Sequence, residues 1–202
     1  MGRLADNKRV IGADLRNEVR GLWGTMSWER WATAAEHCGK RLLALNPAWL
    51  IVVGGTGSGN DLSGVAARPV QLQVSHRVVY SVHVYGWSGW GSLGGRFVQR
   101  PYRSFAAAMQ SAWSYLLESE TGDSGPVPVW VAEFGAPHRP SVGDVCYWQH
   151  LLRFLAAVDA DFGYWAVNPR KTDGSEETYK LVDDDWLTPV LDYRLRDLLG
   201  LG

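Results

Sequence analysis

The sequence predicts an α/β fold with a mostly parallel sheet, in one domain over residues 1–202. Short apolar runs alternate with helical patterns from one end of the chain to the other, which is typical of βα units. The 202 residues are 46% hydrophobic and include no long charged or low-complexity tract, so they can build a substantial core. Five parallel strands with flanking helices are expected.

Five apolar runs are predicted to be strands because they are short, apolar and bounded by polar or glycine-containing segments. They lie at 10–14, 50–53, 78–84, 127–132 and 162–167. Four other segments have apolar residues at helical spacing. Their predicted starting residues are Ser27, Ser104, Ser141 and Thr188. Ser141 and Asp144 form a predicted capping box at the third helix.

A glycine-rich segment at 54–60 reads Gly-Gly-Thr-Gly-Ser-Gly-Asn. A nucleotide-binding turn is the competing interpretation. However, the third glycine of a G-x-G-x-x-G pattern counted from Gly55 would fall on Asn60, and no Gly-Lys-Ser/Thr follows. The segment is therefore predicted to be a flexible loop.

Charge and cysteine content exclude several classes of function. The net charge is −1 and the pI is near 6.5, so no basic surface favours DNA, RNA or an anionic membrane. No apolar run is long enough for membrane insertion, and no signal segment is recognised. Cys38 and Cys146 define neither a disulfide framework nor a zinc site, so their disulfide state and the compartment stay open.

Aromatic and polar residues point to a neutral ligand. Eleven Trp and eight Tyr exceed the needs of a core this size, and their rings either fill the core or bind the apolar faces of sugars. Polar or aromatic residues also lie at or just beyond the carboxyl ends of four predicted strands: Asn17, Glu18, His83, Tyr85, Glu133 and Trp165. Two carboxylates on separate parallel strands can serve one pocket, as retaining glycoside hydrolysis requires. The structural alternatives are a surface carboxylate, a satisfied histidine and a core tryptophan.

Strand alternation limits this interpretation, because Asn17 and Glu18 would point to opposite faces of a continuous strand. The first strand is therefore expected to end by Arg16.

Four segments in order carry a family resemblance: 14–18 (Asp-Leu-Arg-Asn-Glu), 80–85 (Tyr-Ser-Val-His-Val-Tyr), 131–135 (Val-Ala-Glu-Phe-Gly) and 164–169 (Tyr-Trp-Ala-Val-Asn-Pro). They resemble strands four, six, seven and eight of glycoside hydrolase family 5, the cellulase-like family of retaining β-glycosidases. The resemblance covers nearly the whole chain. One departure is Val19, where the family usually has proline.

The resemblance implies a fold and a set of roles. The fold is an incomplete (β/α)8 TIM barrel that lacks strands one to three, since a complete barrel needs eight strands and about 250 residues. Glu18 would be the general acid/base and Glu133 the nucleophile, with carboxyl groups roughly 5 to 5.5 Å apart. Asn17 would bind the sugar 2-hydroxyl, and His83 and Tyr85 would lie between substrate and carboxylates.

Further implications concern Trp165, Tyr85 and the chain as a whole. Trp165 would form the platform beneath the sugar at the cleaved bond, followed by a cis Trp165-Ala166 peptide. Tyr85 would orient Glu133. The open edges of five strands predict self-association or misfolding.

The leading hypothesis is a retaining β-glycosidase acting on a β-linked glucan or related glycoside, with no metal and no cofactor. The alternative is a catalytically inactive remnant that binds carbohydrate through Trp87, Trp90 and Trp165. A doubly wound α/β binding protein would need a phosphate-binding first turn, which the sequence lacks. The sugar, its linkage, endo or exo action and the oligomeric state stay open, and so does localisation, although the family is usually secreted.

Overall fold

A computed structural model describes residues 2–20, 26–86, 101–118 and 127–200. The 87–95 loop, with Trp87 and Trp90, lies outside the described residues. The chain divides into two compact units, the first formed by Met1–His83 and Gln110–Trp130 and the second by Val84–Met109 and Val131–Gly202. The single domain over residues 1–202 stays a prediction.

Five parallel strands form one sheet in the order β1-β2-β3-β4-β5. They are β1 Gly12–Asp14, β2 Leu50–Gly54, β3 Val78–Val84, β4 Val129–Phe134 and β5 Asp161–Tyr164. Gly12 is paired with Leu50, and Ile51 with Val78. Sequence order equals spatial order, as in a (β/α)8 barrel and unlike a doubly wound sheet.

Strand positions agree with the sequence prediction within a few residues. β3 has the predicted bounds, whereas β4 lies two residues later than predicted and so contains Glu133. β5 ends at Tyr164 rather than at Val167, which leaves Trp165 just beyond the strand.

The α-helices within the described ranges are α1 Trp28–Leu43, the single turn α2 Thr56–Gly59, in which Gly57 and Ser58 have non-helical backbone angles, α3 Tyr102–Met109, α4 Tyr115–Glu118, α5 Val142–Val158 and α6 Tyr193–Leu199. A π-helical segment, Gln110–Ser114, joins α3 to α4. Ser27 accepts a hydrogen bond from the Arg30 amide, and Ser141 forms the predicted capping box with Asp144. None of the helices within the described ranges is both long and apolar enough to cross a membrane.

Two predicted helix starts are wrong. α3 already begins at Tyr102, after Pro101, whose carbonyl accepts from the Ser104 amide. Thr188 lies in a turn because the Asp185 carboxylate accepts hydrogen bonds from its amide and its hydroxyl. The last helix begins only after Asp192, its N-cap.

The first unit has a core built on alternate residues of two strands. Ile51 and Val53 of β2 and Val82 of β3 are fully buried. Trp49 is buried too, and its indole N–H donates to the Val10 carbonyl at 2.9 Å.

Aromatic rings dominate the core of the second unit. Phe134 at the end of β4 contacts Trp148 of α5 and Tyr164 of β5, with ring centroids 5.9 and 5.7 Å away. Much of the aromatic content is therefore core. Trp165 and Trp186 are exposed exceptions.

Candidate active site

Glu18 lies in a turn four residues beyond the end of β1. The strand ends at Asp14, which confirms the expectation that it stops by Arg16. Glu18 has a φ of 45°, in the left-handed region that non-glycine residues seldom adopt. Such a conformation persists where the surroundings impose it, often at functional sites. The turn resolves the alternation conflict, since Asn17, which is exposed, and Glu18 belong to no strand.

Two nitrogen groups contact the Glu18 carboxylate. His83 Nδ1 lies 3.3 Å from Oε1, and Arg20 Nη2 lies 2.6 Å from Oε2. The side chain of Glu18 is 17% exposed and that of His83 only 6%, whereas that of Arg20 is 58% exposed. His83 is thus a rigid neighbour on a buried strand, while Arg20 makes a surface ion pair of small energy.

Glu133, the next-to-last residue of β4, carries the carboxylate of the second unit. The Tyr85 hydroxyl donates a hydrogen bond to Glu133 Oε2 at 2.9 Å. Tyr85 is buried, and its ring stacks on Tyr179 with centroids 6.0 Å apart and planes 21° apart. A donor fixed in this way stabilises the ionised carboxylate, which is the form a nucleophile needs.

Trp165 directly follows β5 and is 44% exposed. Its amide donates to the Phe134 carbonyl at 2.9 Å, and the Trp165-Ala166 peptide is cis, which confirms that implication. A Cβ on Gly135 would lie 2.2 Å from the Trp165 carbonyl oxygen. Only glycine fits at this position, so the residues after Glu133 pass against the backbone of Trp165.

A buried arginine that the sequence did not single out supports this unit. Arg194 of α6 is fully buried and holds the Asp192 carboxylate through Nε and Nη2, at 2.6 to 3.1 Å. Its Nη1 donates to the Ala136 carbonyl at 3.0 Å and to the Tyr164 hydroxyl at 3.2 Å. That hydroxyl donates to the Tyr179 carbonyl at 2.9 Å.

The protonation state of Tyr164 keeps this network intact. Burial raises the pKa of Tyr164 to about 12, although the charge of Arg194 acts in the opposite direction. The hydroxyl therefore remains a donor at ordinary pH. The network fixes the backbone of Tyr179, whose ring stacks on Tyr85.

Each unit thus brings together some of the site residues that the sequence predicts. Glu18 contacts His83 in the first unit, and Tyr85 contacts Glu133 in the second, while Trp165 presents an exposed ring. The catalytic and binding roles of Asn17, Glu18, His83, Tyr85, Glu133 and Trp165 stay predictions. Sequence reasoning missed Arg20, Tyr179 and Arg194, for which no local pattern gives a signal.

Comparisons with known proteins identify relatives among cellulases. A family model described as cellulase, glycosyl hydrolase family 5, matches residues 2–171. An endoglucanase of Paenibacillus polymyxa is 34% identical over 203 residues, covering 92% of this chain and 48% of that protein. The major extracellular endoglucanase of Xanthomonas campestris pv. campestris is 29% identical, covering 88% of this chain and 37% of that protein. The chain spans about half the length, or less, of these relatives.

Solved structures show the same relationship. A hyperthermophilic endocellulase from the archaeon Pyrococcus horikoshii has a TM-score of 0.80 at 27% identity, covering 99% of this chain and 59% of that chain. A cellotetraose complex of a variant of that endocellulase has a TM-score of 0.76 at 26% identity, with the same coverage. These neighbours are TIM-barrel endocellulases, which confirms the predicted fold class.

Proposed function

Because the chain belongs to the cellulase family, glycosyl hydrolase family 5, we propose that it carries the carboxylates of a retaining β-glycosidase that hydrolyses a β-glucan or related glycoside. The observation that carries this proposal is the hydrogen bond from Tyr85 to Glu133, since it provides a half-buried, oriented carboxylate at the end of a strand. Endoglucanase relatives favour a β-linked glucan as the substrate.

Glu133 acts as the nucleophile. Its ionised carboxylate attacks the anomeric carbon and forms a glycosyl ester while the bond to the leaving oxygen breaks. The Tyr85 hydroxyl holds one carboxylate oxygen at 2.9 Å and so fixes the orientation of the carboxylate. Orientation of this kind removes part of the entropic barrier to the attack.

Glu18 acts as the general acid and then as the general base. It gives a proton to the leaving oxygen in the first step and removes one from the attacking water in the second. His83 contacts Oε1 and Arg20 contacts Oε2, so the exposed Arg20 must withdraw before Oε2 can carry the proton. His83, being buried, stays in place and fixes the carboxylate plane.

Trp165 and Asn17 bind the sugar. The exposed Trp165 indole offers an apolar platform for a pyranose face. Asn17, exposed beside Glu18, donates to the 2-hydroxyl, an interaction that strengthens in the transition state of this chemistry.

A second candidate function is carbohydrate binding without turnover. It is favoured by the exposed Trp165 indole, which can hold the apolar face of a sugar ring whether or not the carboxylates react.

A covalent trap separates the two candidates. The chain is incubated with a 2-deoxy-2-fluoro-β-cellobioside that has a good leaving group, and its peptides are analysed by mass spectrometry. We expect one fluoroglycosyl adduct on the peptide that contains Glu133, and none in Glu133→Gln. Binding of cellotetraose without an adduct supports the second candidate instead. Hydrolysis with an inverted anomer, read by proton NMR, overturns the retaining mechanism.

A further inference from the structure

The glycine-rich segment 54–60, hereafter the glycine turn, is not the flexible loop that the sequence predicts. The Thr56 and Asp61 backbones exchange two hydrogen bonds, with N–O distances of 2.9 and 3.1 Å. The Asn60 side chain donates across the turn to the Gly57 carbonyl at 2.8 Å. The turn is therefore closed on itself at its base and across its middle.

Three consecutive residues of the glycine turn have left-handed backbone angles. The φ values are 60° at Gly57, 66° at Ser58 and 84° at Gly59. Glycine adopts this region freely, but serine does so at a steric cost. A conformation of that kind persists only where its surroundings hold it. The contacts that hold it are with His83 itself and with Val19, the residue after Glu18.

Gly59 rests on the imidazole of His83. A Cβ on Gly59 would lie 2.9 Å from His83 Cγ and 3.3 Å from Nδ1, which no ordinary packing allows. Nδ1 is the ring atom that lies 3.3 Å from Glu18 Oε1. The bare backbone of Gly59 therefore sets the position of the ring beside the atom that contacts Glu18.

The glycine turn is also bonded to the backbone on either side of this contact. The Ser58 amide donates to the carbonyl of Val19, the residue after Glu18, at 3.3 Å. The Gly55 amide donates to the carbonyl of Ser81, two residues before His83, at 3.0 Å. One short segment is thus tied to both chain segments that carry the pair.

We propose that the glycine turn is a positioning element for the Glu18–His83 pair, with Gly59 as its positioning residue. The turn presses on the imidazole and anchors the backbone after Glu18, so that Nδ1 stays directed at the carboxylate. The absence of a side chain at position 59 is what allows this approach. The proposal rests on the proposed function of Glu18 as the acid/base.

Two alanine variants of the full chain test the proposal. Gly57 and Gly59 both have positive φ, but a Cβ on Gly57 meets no atom within 4 Å. Gly57→Ala therefore introduces the same kind of backbone strain without the contact to His83. Long-range ¹H–¹⁵N NMR follows the His83 ring, with Glu18→Ala as the reference for a ring that has lost its carboxylate.

We expect Gly59→Ala to move the His83 ring signals toward those of Glu18→Ala, while Gly57→Ala keeps the wild-type signals. A merely structural turn would lower Tm in both variants and leave His83 unchanged, and that result overturns the proposal. The NMR measurement needs no turnover. A chain that forms no fluoroglycosyl adduct can still show the expected His83 shifts, so failure of this proposal is distinguishable from failure of the proposed function.

A measurement on the unmodified chain covers the case in which Gly59→Ala does not fold. A positioning turn gives a nuclear Overhauser effect between the Gly59 α-protons and the His83 ring, and a Ser58 amide protected from exchange. A Ser58 amide that exchanges at the unprotected rate, with no such effect at His83, overturns the proposal.

Discussion

Removing the Tyr85 hydroxyl tests the environment of Glu133 with one atom. In Tyr85→Phe the ring keeps its stack on Tyr179, so packing is conserved, but Glu133 Oε2 loses a donor at 2.9 Å. A hydrogen bond to a charged group contributes about 1.5–3 kcal/mol. One pH unit corresponds to about 1.36 kcal/mol. Loss of this hydrogen bond should therefore displace the acid limb of the pH–rate profile by about 1–2 pH units.

The direction of this displacement depends on which protonation state of Glu133 the Tyr85 hydroxyl stabilises. The donor stabilises the carboxylate, so the carboxyl binds its proton more readily without it. The acid limb of the pH profile should therefore move to higher pH. The assay is the pH dependence of the rate of covalent trapping by the fluorinated cellobioside.

Tyr147→Phe is the matched control. It also removes a buried hydroxyl in the second unit, but that hydroxyl donates to the Val84 carbonyl and, among the described residues, is hydrogen-bonded to no carboxylate. It should cost about 1–3 kcal/mol of stability, because a buried carbonyl loses its partner, and leave the acid limb in place. An acid limb that is the same in wild type, Tyr85→Phe and Tyr147→Phe would refute the reasoning.

Four further outcomes are expected. Glu133→Gln should slow glycoside cleavage at least about a thousandfold, or about 4 kcal/mol, with cellotetraose binding by calorimetry largely unchanged; equal loss of both would indicate a folding defect. Burial raises the pKa of Tyr80 and of Tyr164 to about 12, so the native state binds more protons than the unfolded state above pH 10. The free energy of unfolding should therefore fall between about pH 10 and 12, less steeply in Tyr164→Phe; denaturant titrations across that range check it. Arg194→Met should lower the free energy of unfolding by about 3–5 kcal/mol, because Arg194 is buried and paired with Asp192. The control Arg196→Met, at a side chain 75% exposed, should lower it by less than about 0.5 kcal/mol. Similar losses for the two variants in chemical denaturation would contradict this. The 202-residue polypeptide should self-associate through its terminal strands β1 and β5 and turn over soluble β-glucans at best weakly; a monomer by light scattering with ordinary glycosidase turnover would oppose both expectations.

The elements that the sequence predicted correctly depend on interactions between residues that are close together in the chain. Ser27 and Ser141 cap helices as expected, since a cap depends on residues within one turn. The strand β3 has its predicted bounds because its seven residues include four valines and a tyrosine, residue types that favour strands. The alternation of apolar runs and helical patterns predicted a mostly parallel sheet, and the resemblance of four segments to a known family implied the incomplete (β/α)8 barrel.

The candidate site was predicted only in part. The residue types at or just beyond the carboxyl ends of the strands marked Glu18, His83, Tyr85 and Glu133, because the catalytic groups of a (β/α)8 fold lie at those ends. Their pairing could not be read from the chain: Glu18 is 65 residues from His83, and Tyr85 is 48 residues from Glu133.

The sequence by itself determined which residues could do chemistry, and the tertiary structure decided which of them are held in place. Composition made the 54–60 segment look flexible, yet contacts with Val19 and His83 hold it in left-handed angles. Arg194 sits in an ordinary helical pattern, and only folding places its guanidinium against the Ala136 carbonyl, 58 residues away. Propensity and periodicity report short-range preferences, whereas buried hydrogen bonds and close backbone approaches join segments that are distant in sequence, so they exist only once the chain has folded.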